Sequence, residues 1–292
     1  MTQDQFAQLL RHADQLLTRV EALLPPTPPA PDWTHGRAFR WRKRAARGYL
    51  ETIANPHRIH LADLRNIDRQ KALVDRNTRQ FVQGLPANNV LLSGSRGTGK
   101  SSLVKAMLTE YGEQGLRLIE IDKHDLIDLP EVIELLQGRP ERFILFCDDL
   151  SFEADDPSYK PLKAALDGSL AVPPDNILIY ATSNRRHLLP EYFSDNQQTR
   201  HVDGEIHHGE AVEEKISLSE RFGLWVSFYP FNQDAYLEVV STWLNRLDVT
   251  VQDQEAMQAE ALRFALGRGS RSGRVAWQFA RDWAGRSALA DP

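Results

Sequence analysis

Short apolar runs alternate with amphipathic stretches from residue 89 to residue 229, and this alternation is the strongest pattern in the chain. The runs NVLLS (89–93), LRLIEI (116–121), RFILFC (142–147), NILIYAT (176–182) and LWVSFY (224–229) predict strands. The stretches between them, 100–112, 130–138, 158–171 and 187–193, predict helices. Strands that alternate with helices make a parallel sheet covered on both faces. Beyond Pro230 the strand signal stops, and 232–247, 253–267 and 273–285 predict three helices. Ahead of the alternating region, Leu61, Leu64, Ile67, Leu73 and Phe81 predict a helix over 61–83. Phe6, Leu9, Leu10, Leu16, Leu17, Val20 and Leu24 predict an amphipathic helix over 4–24. The stretch PPTPPAP (25–31) ends that helix, because proline lacks the amide hydrogen and favours extended chain. A basic segment with interleaved aromatics, RAFRWRKRAARGYL, follows at 37–50, and the sequence shows no internal repeat. The expected organisation is an N-terminal helical extension with linker and basic arm (1–58), an α/β core (59–230) and a small helical domain (231–292).

Composition changes this picture in one respect. At 41% hydrophobic and 26% charged, the 292 residues fit an ordinary soluble globular protein. The formal net charge of -5 gives no overall pull towards nucleic acid or an anionic membrane, yet residues 1–60 carry +4 and the remainder -9. The basic segment is therefore either an arm for an anionic partner or a dock for the acidic core. A single cysteine leaves no intramolecular disulfide and fits a reducing compartment. MTQDQFAQLL has no basic start followed by an apolar core, and no run approaches the ~18 apolar residues of a membrane span. The expectation is a cytoplasmic protein without a membrane segment.

The clearest chemical signal is Gly94-Ser95-Arg96-Gly97-Thr98-Gly99-Lys100-Ser101, which matches G-x-x-x-x-G-K-[ST] at every fixed position and is followed by Ser102. Glycines let successive backbone N–H groups curl round phosphate oxygens, and the helix that starts near Lys100 points its positive end at the same anion. Lys100 offers a charge to the β- and γ-phosphates of ATP, and the Ser101 hydroxyl is a ligand for Mg²⁺. The motif lies between an apolar strand and the helical stretch SSLVKAMLTEY, the context such a loop requires.

RFILFCDDL ends a second apolar strand in Asp148 and Asp149. Asp148 is the expected holder of the Mg²⁺ shell opposite Ser101, and Asp149 the expected polariser of attacking water. Cys147 reads as buried filler, with no base near it in sequence. Asn184 follows the strand NILIYATS, where an amide can orient the γ-phosphate or its water, or simply make a turn. Arg221 precedes the last strand and is either a finger for a neighbouring subunit's γ-phosphate or a surface ion pair. Arg274 opens a C-terminal helix and can close over the nucleotide, with Arg271 a competitor. His201, His207, His208, Glu205 and Glu210 cluster in a polar stretch without a metal-ligand spacing, which predicts a solvated loop.

Taken in order, GSRGTGKS, FILFCDD, ATSN, SERFG and SGRVA resemble the AAA+ ATPase superfamily over about residues 60–285. IDRQKALVDRNTRQF, FCDDLSFE and EIHHGEAVEEKISLSERFGL resemble more narrowly an uncharacterised bacterial branch of it, a "domain of unknown function". Similarity to helicase-loader and transposition-helper ATPases is weaker. The resemblance implies a three-layer P-loop NTPase core with a five-stranded parallel sheet and a helical lid. It also implies that Asn184 is sensor 1, Arg221 the arginine finger and Arg274 sensor 2, with Ile59–Leu64 near the adenine. The chain departs from the family in having Asp148-Asp149 where most members have Asp-Glu. The shorter acid sets its carboxylate back by one CH₂, and Glu153 is close enough in sequence to substitute.

Two functions compete. One is a Mg-dependent ATPase, a homo-oligomer that remodels an unknown protein partner. The other is a nucleotide-gated binding module with little turnover, associated with nucleic acid through residues 37–49, where Trp41 and Tyr49 can stack on bases. A small-molecule kinase lacks an acceptor-site pattern, and a GTPase lacks an N-K-x-D after a strand.

Overall fold

The computed structural model describes residues 12, 14–15, 29–44, 47–152, 159–167, 174–184, 200–202, 205–207 and 218–290. Most of the helix expected over 4–24, the helix expected over 187–193, and Glu153, His208 and Glu210 lie outside them.

Seven strands form the central sheet: β1 (Ala38–Arg44), β2 (Arg47–Thr52), β3 (Val90–Gly94), β4 (Leu116–Glu120), β5 (Arg142–Cys147), β6 (Ile177–Ser183) and β9 (Leu224–Phe228). Their spatial order is β2-β1-β4-β5-β6-β3-β9. Every pairing is parallel except β1 with β2. Two faces need two sets of helices, and period-2 alternation divides the strand residues between them. Val90, Leu92, Ile144 and Phe146 meet α1 (Asp68–Val82) and α2 (Lys100–Tyr111). Leu91, Phe143, Leu145 and Ile179 meet α3 (Leu129–Leu136) and α4 (Lys160–Asp167). Within the first layer Tyr180 Oη bonds Thr78 Oγ1 at 2.8 Å and accepts from Asn77 Nδ2 at 3.1 Å, which ties α1 to β6.

After β3 the chain crosses β6 and β5 to reach β4, then returns strand by strand on the other face. Such a reversal opens a crevice at the carboxyl ends of the strands, where ligands sit in open α/β sheets. The last three helices, α5 (Gln233–Arg246), α6 (Gln254–Gly267) and α7 (Gly273–Ala290), enclose a separate core around Tyr236, Val240, Met257 and Phe279.

Three expectations change. The sheet has seven strands rather than five, because the segment read as a basic arm supplies β1 and β2. Phe39 and Trp41 face inward and are 0% and 1% exposed, while the cations between and beyond them face acids of the chain itself. Arg40 bonds Glu120 at 2.6 Å, Lys43 bonds Asp128 at 2.7 Å and Arg42 meets Glu51 at 3.2 Å. Trp41 also donates its indole N–H to Asp128 at 3.0 Å, so it is not a free stacking platform for a base. The helix expected from residue 61 starts at Asp68; a short 3-10 turn, Leu61–Asp63, and Asn66 at φ 62° precede it. A left-handed residue ends helical continuity there. His201, Glu205 and His207 lie on a two-stranded antiparallel pair, β7 (Arg200–Val202) with β8 (Glu205–His207), rather than on a loop. Among the described residues no group of three or more His, Cys, Asp or Glu could hold a metal ion. None of their helices is long and apolar enough to cross a membrane.

Incorporation of β1 into the sheet makes opposite demands on neighbouring residues. Trp41→Ala should destabilise the chain by about 3–5 kcal/mol, because it empties a packed site. Arg42→Ala should cost less than about 1 kcal/mol, the scale of an exposed ion pair. Urea unfolding monitored by circular dichroism reads both, and equal small losses would return 38–52 to an arm.

Candidate functional site

β3 ends at Gly94 and α2 begins at Lys100, so the loop between them must turn sharply at the carboxyl edge of the sheet. Gly94 has φ 127°, and a Cβ there would lie 1.9 Å from the Phe228 carbonyl oxygen of β9. Gly97 has φ 72°, and a Cβ there would lie 2.8 Å from Ser272 Oγ and 3.4 Å from the Arg274 Cβ. Neither position tolerates a side chain. Thr98, 2% exposed, braces the loop by donating its hydroxyl to the Ser95 carbonyl at 2.8 Å. Ser95 N–H donates to Phe228 O at 3.3 Å, and Arg96 is exposed at the tip.

Lys100 is 6% exposed. Its ammonium donates to the carbonyls of Gly94 and Ser95, both at 2.7 Å, and to Asn184 Oδ1 at 3.0 Å. Burial pushes its pKa down to about 8, and the facing Asp149 and Asp148 act in the opposite direction. Asp148 Oδ1 accepts from Ser101 Oγ at 2.6 Å and from Thr182 Oγ1 at 2.5 Å. Asp149, at φ 52°, accepts from Asn184 Nδ2 and faces Arg96 at 3.8 Å. Thus the loop, both acids and the amide, expected separately from sequence, come together on three adjacent strands, β5, β6 and β3. Thr182 belongs with them, and sequence reasoning misses it. A signal is available: it stands two residues before Asn184, which directly follows the strand, and the alternation of a strand puts such residues on one side. The Cys147 thiol is 1% exposed, and burial raises its pKa to about 12, which fits buried filler.

The three-helix unit rests on this loop. Gly273 N–H donates to Gly97 O at 2.8 Å, and Ser272 Oγ accepts from Val275 N–H at 3.3 Å at the start of α7. Arg274 therefore stands beside the phosphate loop; both it and Arg271 are exposed. Ile67, three residues beyond the segment expected near the adenine (Ile59–Leu64), abuts the loop, for a Cβ on Gly99 would lie 3.4 Å from Ile67 Cδ1. Arg221 is elsewhere. It pairs with Asp167 at the end of α4, ahead of the first residue of β9.

The family model described as "Protein of unknown function (DUF815)" matches residues 34–287, most of the chain. The chain belongs to the DUF815 family. A structure of a RuvB point mutant from Thermotoga maritima matches with TM-score 0.52 at 14% identity, over 76% of this chain and 63% of that one. A second point mutant of the same RuvB gives 0.51 at 14%, over 76% and 64%. The FIGL-1 AAA domain in complex with ADP gives 0.53 at 16%, over 79% and 74%. At such identities the likeness establishes the fold: this DUF815 chain shares the α/β architecture of the RuvB structures and of the FIGL-1 AAA domain. It spans 63% of the first RuvB chain. No curated protein matches the sequence.

The donor set fits a magnesium–nucleotide pair. A buried ammonium now shared between loop carbonyls, a cradle that a Cβ would fill, and a serine hydroxyl 2.6 Å from an acid are what phosphates and a hard cation need. The Lys100 shift has a measurable consequence. Unfolded, the lysine keeps its ordinary value of 10.5, so between about 8 and 10.5 the folded chain binds fewer protons than the unfolded one. The depressed value therefore costs stability below that window, and the cost is relieved as pH rises through it. Phosphate binding runs the other way, since a neutral Lys100 offers no charge. ATP affinity should fall as pH climbs past 8, with proton uptake on binding at pH 8. Calorimetry in two buffers of different ionisation enthalpy measures the uptake; none, with an affinity flat from about pH 7 to pH 9, would contradict it.

Proposed function

We propose that this DUF815 chain is a Mg-dependent ATPase that acts as an oligomer and couples hydrolysis to remodelling of a partner. The observation that carries the proposal is the buried Lys100 ammonium, flanked by Asp148, Asp149 and Asn184 at the crevice of the sheet. Lys100 exchanges loop carbonyls for the β- and γ-phosphates, which suit a cation better than neutral dipoles do. Ser101 and Asp148 would hold the metal ion, which when bound would screen phosphate charge and polarise the transferred group. Asp149 orients the attacking water, and Asn184 fixes the direction of that carboxylate through its amide. Gly94, Gly97 and Gly99 leave the loop amides open to the phosphates, and Arg274 closes from the lid.

The oligomeric part is supported by the place of Arg221. β9 pairs with β3 in register from Val90–Leu224 to Gly94–Phe228. Leu224 stands four residues, about 13 Å along the strand, from the Phe228 that pairs with Gly94, and Arg221 precedes Leu224 at that opposite end of the sheet. From there it cannot serve its own loop. It can serve a neighbour's, where a cation meets charge that develops in the transition state.

Lys100→Ala should abolish ATP binding with the fold intact. Arg221→Ala should bind ATP nearly as tightly as the parent yet hydrolyse it slower by on the order of 10³-fold. Mixing the two variants should restore part of the activity, and parental specific activity should rise with protein concentration. Turnover independent of concentration, with no rescue on mixing, would remove the oligomeric mechanism.

The switch-like alternative draws on the short Asp149, whose carboxylate is already engaged by Asn184 and Arg96. Asp149→Asn separates the two: an ATPase loses turnover and keeps Mg-ATP, whereas a switch loses nothing measurable in a phosphate-release assay. Turnover that survives there and dies in Glu153→Gln would move water activation to Glu153.

A further inference from the structure

We propose that Thr182 is the positioning residue for both carboxylates, holding Asp148 in place for the metal ion and Asp149 in place for water through one buried hydroxyl. This rests on the ATPase assignment above. Thr182 lies near the end of a strand, Ile177–Ser183, whose preceding residues Ile177, Leu178, Ile179, Tyr180 and Ala181 are apolar or aromatic. Valine would fit the strand equally well, since it shares the branched shape. At 1% exposure a hydroxyl needs protein partners, and this one finds them in the acid pair. The Oγ1–H donates to Asp148 Oδ1 at 2.5 Å, and the same oxygen accepts the Asp149 N–H at 2.9 Å.

The two bonds do different things. Asp148 Oδ1 takes two hydroxyl donors, from Ser101 and Thr182. Ser101 must also give its oxygen to the metal ion, so its geometry is bound to change with ligand. Thr182 faces no such second duty and keeps the carboxylate aimed while Ser101 readjusts. Outer-shell partners of this kind orient a ligating group and raise its competence. At Asp149 the problem is conformational. Its φ of 52° is left-handed, a region that aspartate reaches more readily than most side-chain-bearing residues but that still needs neighbours to select it. Thr182 enforces it twice, since its carbonyl also accepts the Leu150 N–H at 2.7 Å. The turn after β5 is thereby bonded on both sides of Asp149, and its carboxylate comes to the Asn184 amide. A single residue of β6 thus sets the two acids that follow β5 relative to each other.

Thr182→Val deletes the hydroxyl and keeps the shape; Thr182→Ser keeps the hydroxyl. Affinity for a non-hydrolysable ATP analogue is measured in Mg²⁺ and in EDTA, with turnover and a thermal melt alongside. The valine variant should match the parent in EDTA, need on the order of 10- to 100-fold more Mg²⁺ to reach the parent's affinity, and lose turnover. Serine should restore most of both. Valine with the parental Mg²⁺ dependence overturns the proposal, as does serine behaving like valine. Should valine fail to fold, Thr182→Cys, a weaker donor and acceptor of similar size, is expected to fall between parent and loss. A cysteine variant with parental Mg²⁺ dependence would count against the hydroxyl. A parent chain that binds the analogue no better with Mg²⁺ than without would instead overturn the ATPase assignment itself.

Discussion

An ammonium withdrawn from water has to be surrounded by oxygen, and Lys100 organises the carboxyl edge of the sheet on that condition. Two of its partners are carbonyls of its own loop, which obliges the loop to curl tightly enough that Gly94 touches the Phe228 carbonyl. The third is Asn184, which must reach it from β6 and which simultaneously touches Asp149 from β5. The strand order that brings β5, β6 and β3 side by side is therefore a requirement of the charge as much as of the core. The apolar faces of the sheet hold the strands in register to within the tolerance that three convergent hydrogen bonds demand.

What was legible in the sequence follows from how local each constraint is. The phosphate loop is a contiguous run whose spacing is set by backbone geometry, so every fixed residue could be read directly. The strands β3, β4, β5, β6 and β9 are mostly apolar runs and could be read from length and flanking turns. β1 was harder, because Arg40, Arg42 and Lys43 dominate its composition. Its alternation of Phe39 and Trp41 with arginines is nevertheless a strand pattern, and the acids that neutralise Arg40 and Lys43 lie as far off as Glu120 and Asp128. Charge read along the chain therefore suggested an arm where charge in space makes a sheet edge. The same separation hid the partner of Arg221, since Asp167 is 54 residues away. The late start of α1 was also invisible, for it depends on one left-handed residue, Asn66, whose side chain donates to the Ala235 carbonyl of the helical unit.

The site residues divide along the same line. Gly94, Lys100, Ser101, Asp148, Asp149 and Asn184 converge in space as their order implied, and Arg274 stands beside them. Thr182 escaped because a threonine in an apolar strand looks like one more branched residue. Its polarity matters only once the neighbouring strand places two carboxylates against it.

The contact between Gly273 N–H and Gly97 O joins the first turn of α7 to the middle of the phosphate loop without an intervening side chain. Two further ties, Asp63 with Arg246 and Asn66 with the Ala235 carbonyl, fasten the same helical unit to the segment ahead of α1. Loop and helical unit accordingly share one free-energy surface. Whatever pulls the helical unit far enough to break the backbone bond alters how well the loop holds an anion. Linkage then requires that the anion alter the hold on whatever does the pulling by the same factor. A load on the helical unit and a ligand in the loop are, in that sense, two readings of a single equilibrium.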